Sequence, residues 1–313
     1  MWVHVLGSAA GGGFPQWNCH CAQCCGVRDG SLPCLPRTQS SIAISADYRH
    51  WFLFNASPDI RSQINAFPAL YPQRDVRHTP IQGIILSDAE MDHTLGLLSL
   101  RETCMHHIYT TKWVYNALTQ WHPILNTLRG YCDVDWQPVH LQVPIVLWNR
   151  DGTDSGLRCQ AFTTLSTKTV AYATVSATHP ESTVGYRITD TRTGQSLVYM
   201  PTVQELNDTV ICQLQSCACL LVDGTCWYDD ELVRLGISSK TARSMGHLSI
   251  SSDGLSPPAL QGSLEQLASL PIKRIVYIHI NNTNPILIEN SPQRQTVEAR
   301  GIQVAYDGLE MEI

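Results

Sequence analysis

Four cysteines and a histidine crowd into NCHCAQCC, residues 18–25. In Cys19-x-Cys21-x-x-Cys24 the thiols are near enough in sequence for three thiolates to meet on one tetrahedral ion, with a distant fourth ligand completing the set. Pro15 and the glycines before it allow a bent loop, and bound metal would fix that loop. Other chemistry fits the same residues. Cys21-x-x-Cys24 has the spacing of a redox dithiol, although that motif normally opens a helix after a strand of a βαβ unit, a context not evident here. Plain surface or core cysteines are the third reading. Structural Zn2+ is the expectation that uses all three thiols. Cys25 is left over, and Cys34, Cys104, Cys132, Cys159, Cys212, Cys217, Cys219 and Cys226 lie mostly in apolar surroundings and read as small buried hydrophobes.

A second cluster lies in IILSDAEMDHTLGLLSL, residues 84–100. An apolar strand stops at Leu86, a polar turn presents Ser87, Asp88, Glu90, Asp92 and His93, and a leucine-rich helix follows. Side chains on such a turn point into the crevice where open sheets hold ligands. Carboxylate beside imidazole suits a hard or borderline divalent ion there. The acidic residues also read as a helix N-terminus, capping free N–H groups and stabilising the dipole; that reading serves Asp88 as well as a ligand role does, and the Asp92–His93 pair less well. His179, His247 in MGHLS and His279 near the end of the apolar run 274–280 sit at the ends of elements. A lone histidine is usually only a satisfied polar residue, so their shared placement is what marks these three.

These groups need elements to position them. Short β-branched and aromatic runs, among them 3–6, 41–45, 51–54, 83–86, 107–110, 143–148, 184–189, 196–200, 218–223, 274–280 and 303–306, predict strands. Helical spacing predicts helices over 59–66, 94–101 and 263–270. Two hairpins are predicted, 184–189 with 196–199 and 303–306 with 309–312. The result is an α/β mixture with antiparallel pairs and no evident domain boundary; the loosest stretch, 163–182, reads as a long active-site loop.

Composition sets further bounds. With 43% hydrophobic and 15% charged residues, 313 residues can bury a large core. A formal charge of -6 and the lack of a lysine or arginine cluster argue against a nucleic-acid partner and for a small molecule or peptide. The apolar N-terminal run is too short for a signal peptide and lacks a basic region before it, and no stretch suits a membrane span. Twelve cysteines are too few for a small disulfide scaffold of this length. The expectation is a cytoplasmic protein with free thiols and no membrane partner.

With those motifs assembled, ILSDAEMDHTLGL resembles the His-x-His-x-Asp-His motif and Gly-Leu helix of the metallo-β-lactamase superfamily, and His179, GHLS and YIHI follow in the order of its later motifs. More narrowly, LGSAAGGGFPQWNCHCAQC, PRTQSSIAIS, NASPDIRSQI, LLVDGT, MGHLS and HINNTNPIL are similar to the family of pyrroloquinoline quinone (PQQ) biosynthesis protein B, from end to end. The resemblance implies an αββα sandwich: two mixed sheets face to face, helices outside, and a metal at one edge. It implies one domain over 1–313 with a zinc loop at about residues 15–30, on Cys19, Cys21, Cys24 and a fourth ligand at His279 or Asn282. Departures matter as much. Asp88 and Glu90 take the places of the first two histidines, and Thr202 that of the aspartate that bridges two metals. What remains is one divalent ion, Fe2+, on Asp92, His93 and one or both of His179 and His279, a two-imidazole, one-carboxylate set of the kind that holds non-haem iron.

The activity implied is an iron- and dioxygen-dependent hydroxylation of the tyrosine ring of a peptide-derived glutamate-tyrosine precursor. Asp88, Asp223 or His247 would be the catalytic groups that orient substrate or move protons, or else would steer a ligand. Competing readings are a soluble carrier of PQQ or its precursor and a metallohydrolase. A homodimer and other PQQ biosynthesis proteins are the expected partners.

Overall fold

The computed structural model describes residues 1–102, 105–168, 170–173, 178–253 and 261–313. Cys104 and part of the 163–182 stretch lie outside the described residues. Strands β1 (Trp2–Gly7), β2 (Ser41–Ser45), β3 (Trp51–Phe54), β4 (Ile81–Ile85), β5 (His106–Thr111) and β6 (Val134–Val139) belong to one sheet. Strands β7 (Pro144–Trp148), β8 (Asp154–Thr163), β9 (Val184–Asp190), β10 (Ser196–Met200), β11 (Cys219–Asp223), β12 (Arg274–Ile278) and β13 (Ile302–Val304) form the other, and β14 (Glu310–Glu312) returns to the first. Each sheet is seven-stranded, in the orders β14-β1-β2-β3-β4-β5-β6 and β13-β12-β11-β10-β9-β8-β7. Both mix parallel and antiparallel pairs.

Alternation along the strands explains the layering. On β3, Phe52 and Phe54 face the other sheet while Trp51 and Leu53 face the outer helices; on β11, Leu221 faces inward and Leu220 and Val222 outward. Because both faces of the central strands are covered, these runs are apolar throughout rather than alternating. Three apolar layers result, one between the sheets and one under each set of helices, which is the expected αββα sandwich. Among the described residues no helix is long and apolar enough to cross a membrane.

Three expectations change. The second hairpin does not form: β13 pairs in parallel with β12, while β14 pairs antiparallel with β1 in the opposite sheet. Asp307 makes the crossover by accepting from the Ser8 and Thr38 backbone N–H groups and hydroxyls at 2.6–2.9 Å, anchoring the turn to the first sheet. Cys21 caps a helix over Ala22–Asp29, its Sγ facing the Cys24 N–H, so the cysteine run does open a helix; it lies between antiparallel strands β1 and β2, not in a βαβ unit. The helix read at 94–101 begins earlier, as one α-turn at Met91–Thr94 that tightens to 3-10 geometry over Leu95–Leu100.

Candidate metal centres

The thiols of Cys19, Cys21 and Cys24 converge, with every sulfur within 4.8 Å of the others. Nothing in their local chain supplies a fourth donor. From the turn after β12, Asn282 places its side-chain amide nitrogen 3.1, 3.8 and 3.4 Å from the sulfurs of Cys19, Cys21 and Cys24. Turning that amide over would present Oδ1, the atom a cation selects. Burial and the crowding of Cys19 and Cys24 push the Cys21 thiol up to about 12. Burial also opposes the Cys19 thiolate, but the Cys21 N–H, the neighbouring thiols and Asn282 outweigh it and lower that group. Three crowded sulfurs, one of them with its thiol made more acidic, fit a thiophilic cation. Of the two fourth-ligand candidates, Asn282 lies against the sulfurs, whereas His279 faces Asp92 and Thr225. Cys25 stays outside, beside His20 Nδ1 at 3.2 Å. Among the other cysteines, Cys159, Cys217, Cys219 and Cys226 are buried as expected, Cys34 and Cys132 are half-buried, and Cys212 is exposed.

The second centre is assembled from both sheets. The turn after β4 is tied down by Asn55, which accepts from the Ser87 N–H at 2.9 Å, and by Tyr186, whose hydroxyl donates to the Leu86 carbonyl at 2.8 Å. Asp88 is buried there. It accepts from Ser87 Oγ at 2.8 Å, from the Glu90 N–H at 2.9 Å, and from His93 Nδ1 at 2.8 and 2.9 Å. Burial raises Asp88, but the His93 charge and hydrogen bond outweigh it and hold the carboxyl below its usual range. Burial likewise opposes the His93 charge, yet Asp88 and Asp92 raise this imidazole to about 9.

With Nδ1 fixed on Asp88, His93 Nε2 is buried without a hydrogen-bond partner. It lies 3.9 Å from Asp92 Oδ2, and His279 Nε2 lies 3.3 Å from the same oxygen. Asp92, His93 and His279 thus offer one carboxylate oxygen and two ring nitrogens within 4.8 Å of one another. Burial raises Asp92, and the His93 charge and the His279 hydrogen bond more than reverse it. Gly11 closes on this carboxylate, since a Cβ there would stand 3.1 Å from Asp92 Oδ2.

His279 is held in a left-handed backbone conformation, φ 59°, an unfavourable one for an L-residue that the surroundings must impose. Thr225 supplies that constraint. Its hydroxyl lies 2.6 Å from Asp223 Oδ1, 2.9 Å from His279 Nδ1 and 3.0 Å from the His279 carbonyl. With the hydroxyl proton on the nearer carboxylate, Oγ1 accepts from His279 Nδ1–H, which leaves the Nε2 lone pair for the crevice. Asp223 also accepts from His247 Nδ1 at 2.7 Å and from the Val203 N–H at 3.0 Å. The Asp223, His247 and His279 group is close enough for a metal, but its contacts are the Nδ1 sides of the rings and form a hydrogen-bonded relay. Burial raises Asp223, and His247 outweighs it and lowers the group.

His93, His247 and His279 therefore each fix Nδ1 on a buried oxygen. Their rings are neighbours, with centroids 5.1 Å apart for His93 and His279 and 5.3 Å for His247 and His279. The crevice they line, with Asp88, Glu90, Asp92, Trp113, Lys168, Val170 and Thr202, has a volume of about 20 Å³, room for an ion or a water. A larger cavity of about 540 Å³, between Gln195, Lys273 and Arg274, gathers no such donors.

His179 is not brought here. It is exposed and its Nδ1 accepts the Glu181 N–H at 3.2 Å, because the chain turns at Ser182 to pair Thr183 with Asp88. Thr202 does line the crevice, as its alignment with the superfamily's bridging aspartate implied. Sequence reasoning missed Thr225, Asn55 and Lys168. Thr225 follows Asp223 by two residues, a spacing that could have marked it as a partner of that carboxylate; Lys168 carried no local signal.

The beta-lactamase superfamily domain model matches residues 50–280. The chain is 45% identical to coenzyme PQQ synthesis protein B of Pseudomonas putida, over 100% of both chains, and 43% identical to that of Pseudomonas syringae pv. syringae, again over 100% of both. It belongs to the coenzyme PQQ synthesis protein B family. Zinc-bound PqqB from Methylobacterium extorquens superimposes with a TM-score of 0.89 at 36% identity, covering 100% of each chain. A diphosphatase of the PhnP family shares the fold at 20% identity, with a TM-score of 0.68 over 100% of this chain and 97% of that one. Family and metallo-β-lactamase fold both match what the motifs implied.

Proposed function

We propose that this chain serves PQQ synthesis as a mononuclear metal-dependent hydroxylase acting on the tyrosine ring of a peptide-derived glutamate-tyrosine precursor. Structural zinc sits on Cys19, Cys21, Cys24 and Asn282, and Fe2+ on Asp92, His93 and His279. The observation that carries the reading is the donor set: one carboxylate and two imidazoles, with His93 Nε2 buried and without a partner. Ferrous iron in such a set would bind and activate dioxygen; placing one oxygen atom on the ring sends the other to water and draws two electrons and two protons from an external reductant. The protein does the rest. Asp88 holds His93 Nδ1, and Thr225 with Asp223 holds His279, so both Nε2 atoms stay aimed at the crevice. His247, backed by Asp223 at 2.7 Å, keeps Nε2 for a proton of the substrate phenol. At about 20 Å³ the crevice has room for an ion or a water, so the ring is presented at its opening rather than inside it.

The test is anaerobic reconstitution with Fe2+, then addition of the crosslinked precursor, a chemical reductant and air, with mass spectrometry of the product. Gain of one oxygen atom is expected. Tight binding without turnover would instead identify a carrier, and turnover with zinc and no oxygen a hydrolase.

A further inference from the structure

Lys168 enters the crevice from the loop after β8. Its Nζ lies 3.0 Å from Glu90 Oε1, with both side chains about two-thirds or more covered. Exposed ion pairs of this kind are usually worth little, but this one stands in a crevice lined by three carboxylates, Asp88, Glu90 and Asp92, and a single ammonium. With neutral histidines those groups leave a charge of about −2, which one divalent ion cancels. A second ion would need donors of its own, and among the described residues that line the crevice only the outward side of His247 is left for one. Asp88 is taken by Ser87, Glu90 N–H and His93, Glu90 is taken by Lys168, and Thr202 brings no charge.

The lysine is also seated rather than loose. The preceding residue, Thr167, donates its N–H and its hydroxyl to Gln204 Oε1 at 2.5 and 2.9 Å, and the Lys168 N–H reaches Ser166 Oγ at 3.3 Å. Gly246, at φ 87°, lies against this segment, where a Cβ would stand 2.5 Å from Ser166 Oγ and 2.9 Å from Lys168 Cβ. The glycine beside His247 is thus what lets the lysine stem pass. Burial opposes the ammonium charge, but Glu90, Asp92 and Asp88 outweigh it and hold the group above the usual lysine range.

We propose that the Lys168 ammonium, paired with Glu90, is a built-in substitute for a second metal ion that fixes the crevice at one divalent cation. The proposal rests on the metal reading of Asp92, His93 and His279. Its test is titration of the full, zinc-loaded chain with Mn2+ under argon, followed by calorimetry and by electron paramagnetic resonance. Wild type and Lys168→Arg should each take one crevice ion with an uncoupled signal. Lys168→Ala should bind the first ion on the order of tenfold more tightly and admit a second, giving a spin-coupled pair. Glu90→Gln, which leaves the ammonium unbalanced, should weaken the first ion by about tenfold. Lys168→Ala with native circular dichroism, one ion and unchanged affinity would overturn the proposal; should that variant not fold, unchanged affinity in Glu90→Gln does the same. Wild type taking no crevice ion would instead bring down the metal reading beneath it.

Discussion

Cys19, Cys21 and Cys24 reach one another within a single bend and the first turn of a helix, and only Asn282 comes from afar. The crevice is built the other way: Asp92 and His93 come from the turn after β4 in one sheet, His279 from the turn after β12 in the other, and each ring is aimed by a separate buried oxygen. The two centres nevertheless share one piece of chain, since His279 and Asn282 are three residues apart. The first gathers soft sulfur donors, whereas the second combines a hard carboxylate with borderline imidazoles. The difference teaches that the first is suited to pinning the chain and the second to chemistry, with the 279–284 turn as the segment they share. Glu231 reinforces that turn by accepting from the Thr283 hydroxyl.

The largest break in this comparison is expected from His93→Ala. It should remove the crevice metal and abolish product formation while metal analysis still finds zinc on the cysteines. Cys24→Ala should do the reverse: zinc is lost and thermal unfolding moves down by on the order of 10 °C, with crevice metal reduced but present. If the two losses prove equal in both variants, the centres are not separable. Asp88→Asn keeps a side chain of the same size but withdraws the charge behind His93, and should weaken crevice metal binding by about 10- to 100-fold in a competition titration, leaving zinc content unchanged.

The smallest effect concerns the shared turn. Burial is the main reason Glu231 is pushed up to about 7, against the opposing Thr283, Trp227 and Tyr228 hydrogen bonds. The folded chain therefore holds that proton more tightly than the unfolded chain does. Its stabilising contribution is complete below the ordinary glutamate range near pH 4.5 and is lost as pH rises through 7. Glu231→Gln should flatten that decline by about 1–2 kcal/mol, read as a smaller difference in melting temperature between pH 5 and pH 8.

Much of this was legible in the chain. Strands 41–45, 51–54 and 196–200 were bounded correctly because their apolar runs end in polar or turn residues. Strands β6 and β8 were not found: β6 carries Asp135, Gln137 and Pro138 on a half-covered edge, and β8 alternates polar residues through Arg158 and Gln160, so neither shows a continuous apolar run. The hairpin at 303–312 failed because Asp307-Gly308 is as good a crossover as a hairpin turn, and which strand each arm meets is decided by neighbours far away in sequence.

The sequence by itself determined the thiol cluster, the Asp92–His93 pair and the marking of His247 and His279, because residue type and local spacing already limit what those groups can bind. Tertiary structure alone decided that Asn282 and not His279 meets the thiols, that His179 stays outside, and that Thr225 and Lys168 belong with the crevice. Those outcomes depend on bringing the ends of β4, β11 and β12 to one edge of the sandwich. That convergence comes from burying two apolar sheet faces against each other, a driving force that is non-directional and leaves no local mark on the residues it brings together.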